Sequence, residues 1–389
     1  MLFWPARLTA AAFLISTLTT PLATASFASS EQVNVATDVT EMNNRGVKEA
    51  QAGRFEQAAE WLRRALRLDS SDLTARKNLS GVLTDWASQK EKQADPDEAV
   101  NLLKEAVTLF PENGLALAEL GDILYLRRND LDGAVLAWQK AHGHMPVAAM
   151  DQVLVERIAK AQRDALIERG FLAQQTEHFA IRFQEKQAVA TKDLSKILEE
   201  SYARLLQLMG QGPSQLTVMV YTARDLHRVS TQRDWAVGFY DGRIRLQLDE
   251  LSQPFLPDLV IHELTHAFLQ HQYGFSLPMW VHEGFAQLQE QVHPHSPEAA
   301  ALIQKIQSRE SWVPLEYLDK RFSQPSNSED VFRAYAQSRI AVSELIEKYG
   351  AGSFLHFLLR LSQGKPIAEA YDESFAPSRW VRANQGIFE

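Results

Sequence analysis

The chain has 389 residues, 45% of them hydrophobic, and a formal net charge of −9. That length predicts two or three domains with sizeable cores, and the negative balance argues against a nucleic-acid binder. Cysteine is absent. This excludes disulfides, iron–sulfur clusters, thiolate metal ligands, a cysteine nucleophile and a lipid-modified cysteine anchor.

Residues 1–25 read as a secretory signal. Arg7 precedes an apolar run over 8–18, and Ala23-Thr24-Ala25 supplies small residues for cleavage, with Ala28 as a second choice. The run is too short for a retained membrane span. The expected location is therefore periplasmic or secreted, with no stable membrane anchor after cleavage.

From 39 to 146 a helical pattern recurs about every 34 residues. Its first copy carries Gly46, Gly53, Phe55, Ala58, Ala65 and Leu66. The second carries Ala99, Leu103, Ala106 and Pro111, after a longer first helix. The third carries Leu120, Gly121, Ala134, Trp138, Ala141 and Pro146. Small residues let paired helices approach, and large ones fill the space between pairs. These positions match those of tetratricopeptide repeats, so an all-α repeat domain is expected. Such an array either offers a concave surface to a protein partner or peptide, or simply packs on a neighbouring domain. Residues 147–172 follow as a linking helix, with Val153, Val155, Ile158, Ala161 and Leu166 as its apolar face.

Residues 173–375 change character. Phe179–Phe183 alternates as a strand, 192–209 is an amphipathic helix, and Leu216–Tyr221 is a second strand. Asp241-Gly242 signals a hairpin leading into a strand over 243–248. Helices dominate afterwards, apart from a polar loop over 322–330 that could border a cleft. The expected class is α+β. Residues 376–389 form a C-terminal tail.

The chemistry concentrates in His262-Glu263-Leu264-Thr265-His266, an H-E-x-x-H motif. On a helix, positions four apart share a face, so both imidazoles can reach one metal ion, with Glu263 beside the open position as a base. The apolar neighbours of the motif predict a buried helix. Burying two histidines and a glutamate is costly, and a metal removes much of that cost. The run from Pro278 to Ala286 opens a second helix after a turn at 273–277. A short connection makes the two helices neighbours, so Glu283 can face the histidines as the third ligand. His271 and His282 are the rival ligands. Leu269 and Gln272 stand where a metzincin needs Gly and His, which rejects that class.

The sequences H-E-L-T-H-A-F and P-x-W-x-x-E-G-x-A resemble the gluzincin metallopeptidases, and among them the peptidase MA-like family. The segment 236–244 resembles the strand region upstream of the motif in that family. Tyr335-Ala336-Gln337-Ser338, followed by a helix ending at Gly350, resembles its downstream Y-x-x-S helix. The similarity covers roughly 175–375. It implies a zincin-like fold and one Zn²⁺ on His262, His266 and Glu283. It also implies Glu263 as general base and Tyr335 as a donor to the oxyanion. Gln287 could orient a ligand, although an exposed position suits it better. By the same resemblance an edge strand binds extended peptide, with 243–248 as the candidate. The gap before Glu283 is shorter than in thermolysin, so substrate preference does not transfer. The expected activity is an exported zinc metallopeptidase acting on peptide or protein. The alternatives are an adaptor with an inactive peptidase-like domain and a hydrolase of non-peptide amides.

Overall fold

A computed structural model of the chain describes residues 30–93, 95–230, 237–248, 255–274, 277–290, 297–323, 328–375, 380–384 and 386. The signal segment, part of the 273–277 turn, the middle of the 322–330 polar loop, Ala236 and most of the C-terminal tail lie outside these residues. The chain divides into two compact units between Arg169 and Gly170. Among the described residues no helix is long and apolar enough to cross a membrane.

The first unit is helical throughout. It runs α1 (Ser30–Gln51), α2 (Phe55–Leu68), α3 (Leu73–Lys92), α4 (Pro96–Leu109), α5 (Gly114–Ile123), α6 (Leu131–Ala141) and α7 (Ala148–Glu168), with a π-helical turn at Leu124–Arg128. Four starts are fixed by sequence. The side chains of Asp72, Asp95, Asn113 and Asp130 each accept a hydrogen bond from the backbone N–H three residues on. Each such cap contributes about 1 kcal/mol. Packing pairs α1 with α2, α3 with α4, and α5 with α6. Ala58, Leu62, Leu79, Leu83, Ala99, Leu103 and Ala106 form the shared core. A Cβ on Gly121 would stand 2.4 Å from Trp138 Nε1. That contact shows why the third pair needs glycine beside tryptophan.

The α7 face differs from the expected one. Val155 and Leu166 are exposed, and the buried stripe is Leu154, Arg157, Ala161, Asp164 and Glu168. Polar partners decide it. Arg157 Nη1 donates to Asp122 Oδ1 at 2.5 Å, and Trp138 Nε1 donates to the same oxygen at 3.0 Å. Tyr125 donates to Asp164.

The second unit starts with a five-stranded mixed sheet. Its strands are β1 (Leu172–Gln175), β2 (Phe179–Phe183), β3 (Leu216–Tyr221), β4 (Gly238–Tyr240) and β5 (Ile244–Gln247). Their order is β1-β2-β3-β5-β4. β2, β3 and β5 run parallel, and β1 and β4 pair antiparallel at the two sides. This corrects the strand assigned to substrate. The 243–248 strand is β5, which is hydrogen-bonded on both sides and has no free edge. The edge beside the motif helix is β4.

Helix α8 (Ala188–Met209) packs on β2, and α9 (Ala223–Val229) packs on β3 and β5. Then come α10 (Leu256–Tyr273), α11 (Met279–Gln289), α12 (Pro297–Gln307), α13 (Leu315–Ser323), α14 (Ser328–Ser362), α15 (Ile367–Ser374) and α16 (Trp380–Asn384). Helix α14 breaks at Gly350, whose φ of 84° leaves the helical region. One sheet face, α8, α10, α11 and α14 share a core that includes Ile181, Val218, Leu246, Leu198, Leu264, Phe268, Phe285 and Phe354. The fold is a helical repeat array followed by an α+β unit.

Candidate metal centre

Helix α10 is held by apolar burial on several sides. Leu256, Val260, Ile261, Leu264, Ala267 and Phe268 are each at most 4% exposed. A fully buried side chain of this kind contributes about 1.5–3 kcal/mol. Gly274, with φ 72°, closes the helix. The same packing buries Glu263 and His266, while His262 keeps 12% of its side chain exposed.

Helix α11 brings the third group. Its N-cap, Pro278, offers no side-chain cap. Asp319 of α13 takes that place and accepts from Trp280 N at 3.2 Å. Burial raises the Asp319 carboxyl above its usual range, and hydrogen bonds from the backbone N–H groups of Trp280 and Met279 oppose this. On its other side, α11 meets α14 at Gly284. A Cβ there would lie 2.3 Å from the Ser338 carbonyl oxygen. Glycine next to Glu283, with small Ser338 opposite, sets how near α14 can come.

Three atoms converge. His262 Nε2 and His266 Nε2 are 3.1 Å apart. Glu283 Oε2 lies 3.4 Å from the first and 3.6 Å from the second. Ligands about 2.0–2.1 Å from a tetrahedral zinc stand roughly 3.3 Å from one another, so this triangle fits such an ion. Among the described residues this is the one cluster of three or more His, Asp or Glu side chains placed to hold a metal. His282 is buried, with its ring 5.8 Å from that of His266, and His271 lies near the end of α10; neither belongs to the triangle. Glu283 is fully buried, and neither of its carboxylate oxygens accepts a hydrogen bond. A buried carboxylate facing two imidazoles is a donor set that fits a divalent cation.

The electrostatics agree. Burial alone would raise the Glu283 carboxyl, but His266 and His262 hold it well below the carboxylate range. Burial opposes charge on His262, yet Glu283 and Glu290 outweigh it and raise this imidazole well above its usual value. His282 goes the other way. Burial, with the charge of His266, pushes it down to about 3, so it stays neutral.

Residues 243–376 match the family model described as Peptidase MA superfamily, and residues 84–143 match a tetratricopeptide repeat. No curated protein matches the chain. The metal triangle and the family match fall in one segment. This is a Peptidase MA superfamily domain, preceded by tetratricopeptide repeats.

Within the peptidase domain, Tyr335 is a partly buried residue of α14 whose ring meets Phe322 edge-on at 5.1 Å. Its carbonyl accepts from Gln287 Nε2 at 3.0 Å, which ties it to the helix carrying Glu283. Gln287 is thus neither exposed nor on a metal ligand. The residue that does reach a ligand is Glu290, the C-cap of α11, which accepts from His262 Nδ1 at 2.5 Å. No local pattern signals it, since Glu290 lies 28 residues from His262.

Proposed function

We propose that this protein is a zinc-dependent metallopeptidase. The convergence of His262 Nε2, His266 Nε2 and Glu283 Oε2 on one point, within a Peptidase MA superfamily domain, carries the reading. Two imidazole nitrogens, neutral once they hold a metal, and one carboxylate oxygen make a donor set suited to catalytic zinc. Zinc, when bound, supplies Lewis acidity toward a substrate carbonyl and toward water.

The chain's own residues do the rest. Glu263 follows His262 on α10 and is 3% exposed. It takes the proton as water attacks the acyl carbon, and delivers it to the nitrogen as the carbon–nitrogen bond breaks. Tyr335 donates a hydrogen bond to the carbonyl oxygen as negative charge builds there. The edge strand β4 receives the substrate backbone. It packs against α10 so closely that a Cβ on Gly238 would stand 2.8 Å from Leu259 Cδ1. A free strand edge pairs with extended peptide through backbone hydrogen bonds, whatever the side chains.

The repeats serve as a docking surface for substrate or a protein partner, and the N-terminal signal directs the protein to the periplasm or the outside. The decisive test is Glu263→Gln in the full chain. Zinc content should be retained and peptide cleavage lost. Retained cleavage would remove Glu263 as the base.

A further inference from the structure

We propose that Glu290 is a positioning residue that holds His262 as an Nε2 ligand and thereby sets zinc affinity. The proposal rests on the zinc reading above. Its basis is geometry. His262 has two ring nitrogens with different partners. Nε2 faces His266 and Glu283, and Nδ1 donates to Glu290 Oε1 at 2.5 Å. An imidazole bonded through Nδ1–H to a carboxylate has its tautomer and ring plane fixed, leaving the Nε2 lone pair for a metal.

The placement adds a second argument. Glu290 is the C-cap of α11, seven residues after the ligand Glu283. One helix therefore supplies both a ligand and the group that orients a ligand on α10. Any movement of α11 away from α10 would disturb both contacts together. Gln287, one turn after Glu283, is occupied by the Tyr335 carbonyl. His262 is also the more exposed of the two histidines, at 12% against 0% for His266. It gains less restraint from packing and depends more on a hydrogen bond.

The test uses the full chain with zinc alone, titrated against a chromophoric chelator of known affinity. Three proteins are compared: wild type, Glu290→Ala and Glu290→Gln. The glutamine keeps an acceptor oxygen for Nδ1–H. Thermal midpoints of the metal-free proteins are recorded alongside. The alanine variant should bind zinc about 10–100-fold more weakly, with an unchanged metal-free midpoint. The glutamine variant should recover a large part of the loss. Equal affinity in wild type and Glu290→Ala overturns the proposal. So does an equal loss in both variants with a parallel drop in metal-free stability, which marks a structural role. A wild type that binds no zinc overturns the zinc reading itself, and this is seen before any variant is measured.

Discussion

The repeat unit and the peptidase unit both bury charge, but they complete it differently. In the repeats, the named buried polar groups pair with one another. Asp122 is held by Arg157 and Trp138, and Tyr125 by Asp164. In the peptidase unit, two imidazoles and a carboxylate converge on one point, and the carboxylate accepts no hydrogen bond. The first arrangement pairs donor with acceptor inside the chain. The second gathers three donor atoms that fit a metal ion. Burial alone does not separate structure from function; the direction in which buried polar atoms point does.

The largest test of this contrast falls on the open arrangement. Glu263→Gln should lower peptide cleavage by about 10³-fold or more, without loss of zinc or of thermal stability. Steady-state kinetics with metal analysis checks it. The closed arrangement should answer in stability instead. Arg157→Ala leaves Asp122 buried without its cation and should cost about 3–5 kcal/mol in chemical denaturation of the repeats. A double change to Arg157→Leu with Asp122→Asn should cost less, because no charge stays buried.

Backbone contact gives the next effect. Gly284→Ala puts a methyl group 2.3 Å from the Ser338 carbonyl oxygen, which is backbone and cannot swing aside. We expect a loss of about 2–3 kcal/mol in denaturation, and weaker zinc binding as α11 is pushed away. In the repeats, a Cβ at Gly81 meets nothing within 4 Å. Gly81→Ala in α3 should therefore stabilise by about 0.5–1 kcal/mol. Opposite signs for the same substitution are expected in the two units, and equal signs would contradict the contrast between them.

A pH-dependent effect concerns Asp85 of α3, whose carboxyl burial pushes up to about 6. A folded pKa above the unfolded one means that folding holds the proton more tightly. The cost of ionisation is absent below the unfolded pKa near 3.8, grows as pH rises, and is complete above 6. Asp85→Asn should stabilise the repeats by about 1–2 kcal/mol at pH 7 for this partly exposed group, and by nothing near pH 3. Denaturation midpoints at the two pH values check it.

Much of this was legible in the sequence because it is local. Spacing of four placed His262 and His266 on one face, and the apolar residues around them foretold a buried helix. The 34-residue recurrence located the paired helices, since Gly121 and Trp138 mark their close approach. What escaped depends on the chain returning to itself. β1 is a polar segment, Leu172-Ala-Gln-Gln175, with little alternation to announce a strand. Sheet order is non-local, so the hairpin signal at Asp241-Gly242 could not say which of its strands would lie inside. The buried face of α7 follows Asp122 and Tyr125 rather than its own apolar residues. Glu290 stands past the end of its helix and acquires its role only when α11 lies along α10.

The most direct measurement is the zinc content of the protein purified without added metal, wild type beside Glu283→Ala. One zinc per chain in the wild type, and a large loss in the variant, is the predicted result. No zinc in the wild type, or the same content in both, would contradict the three-residue centre.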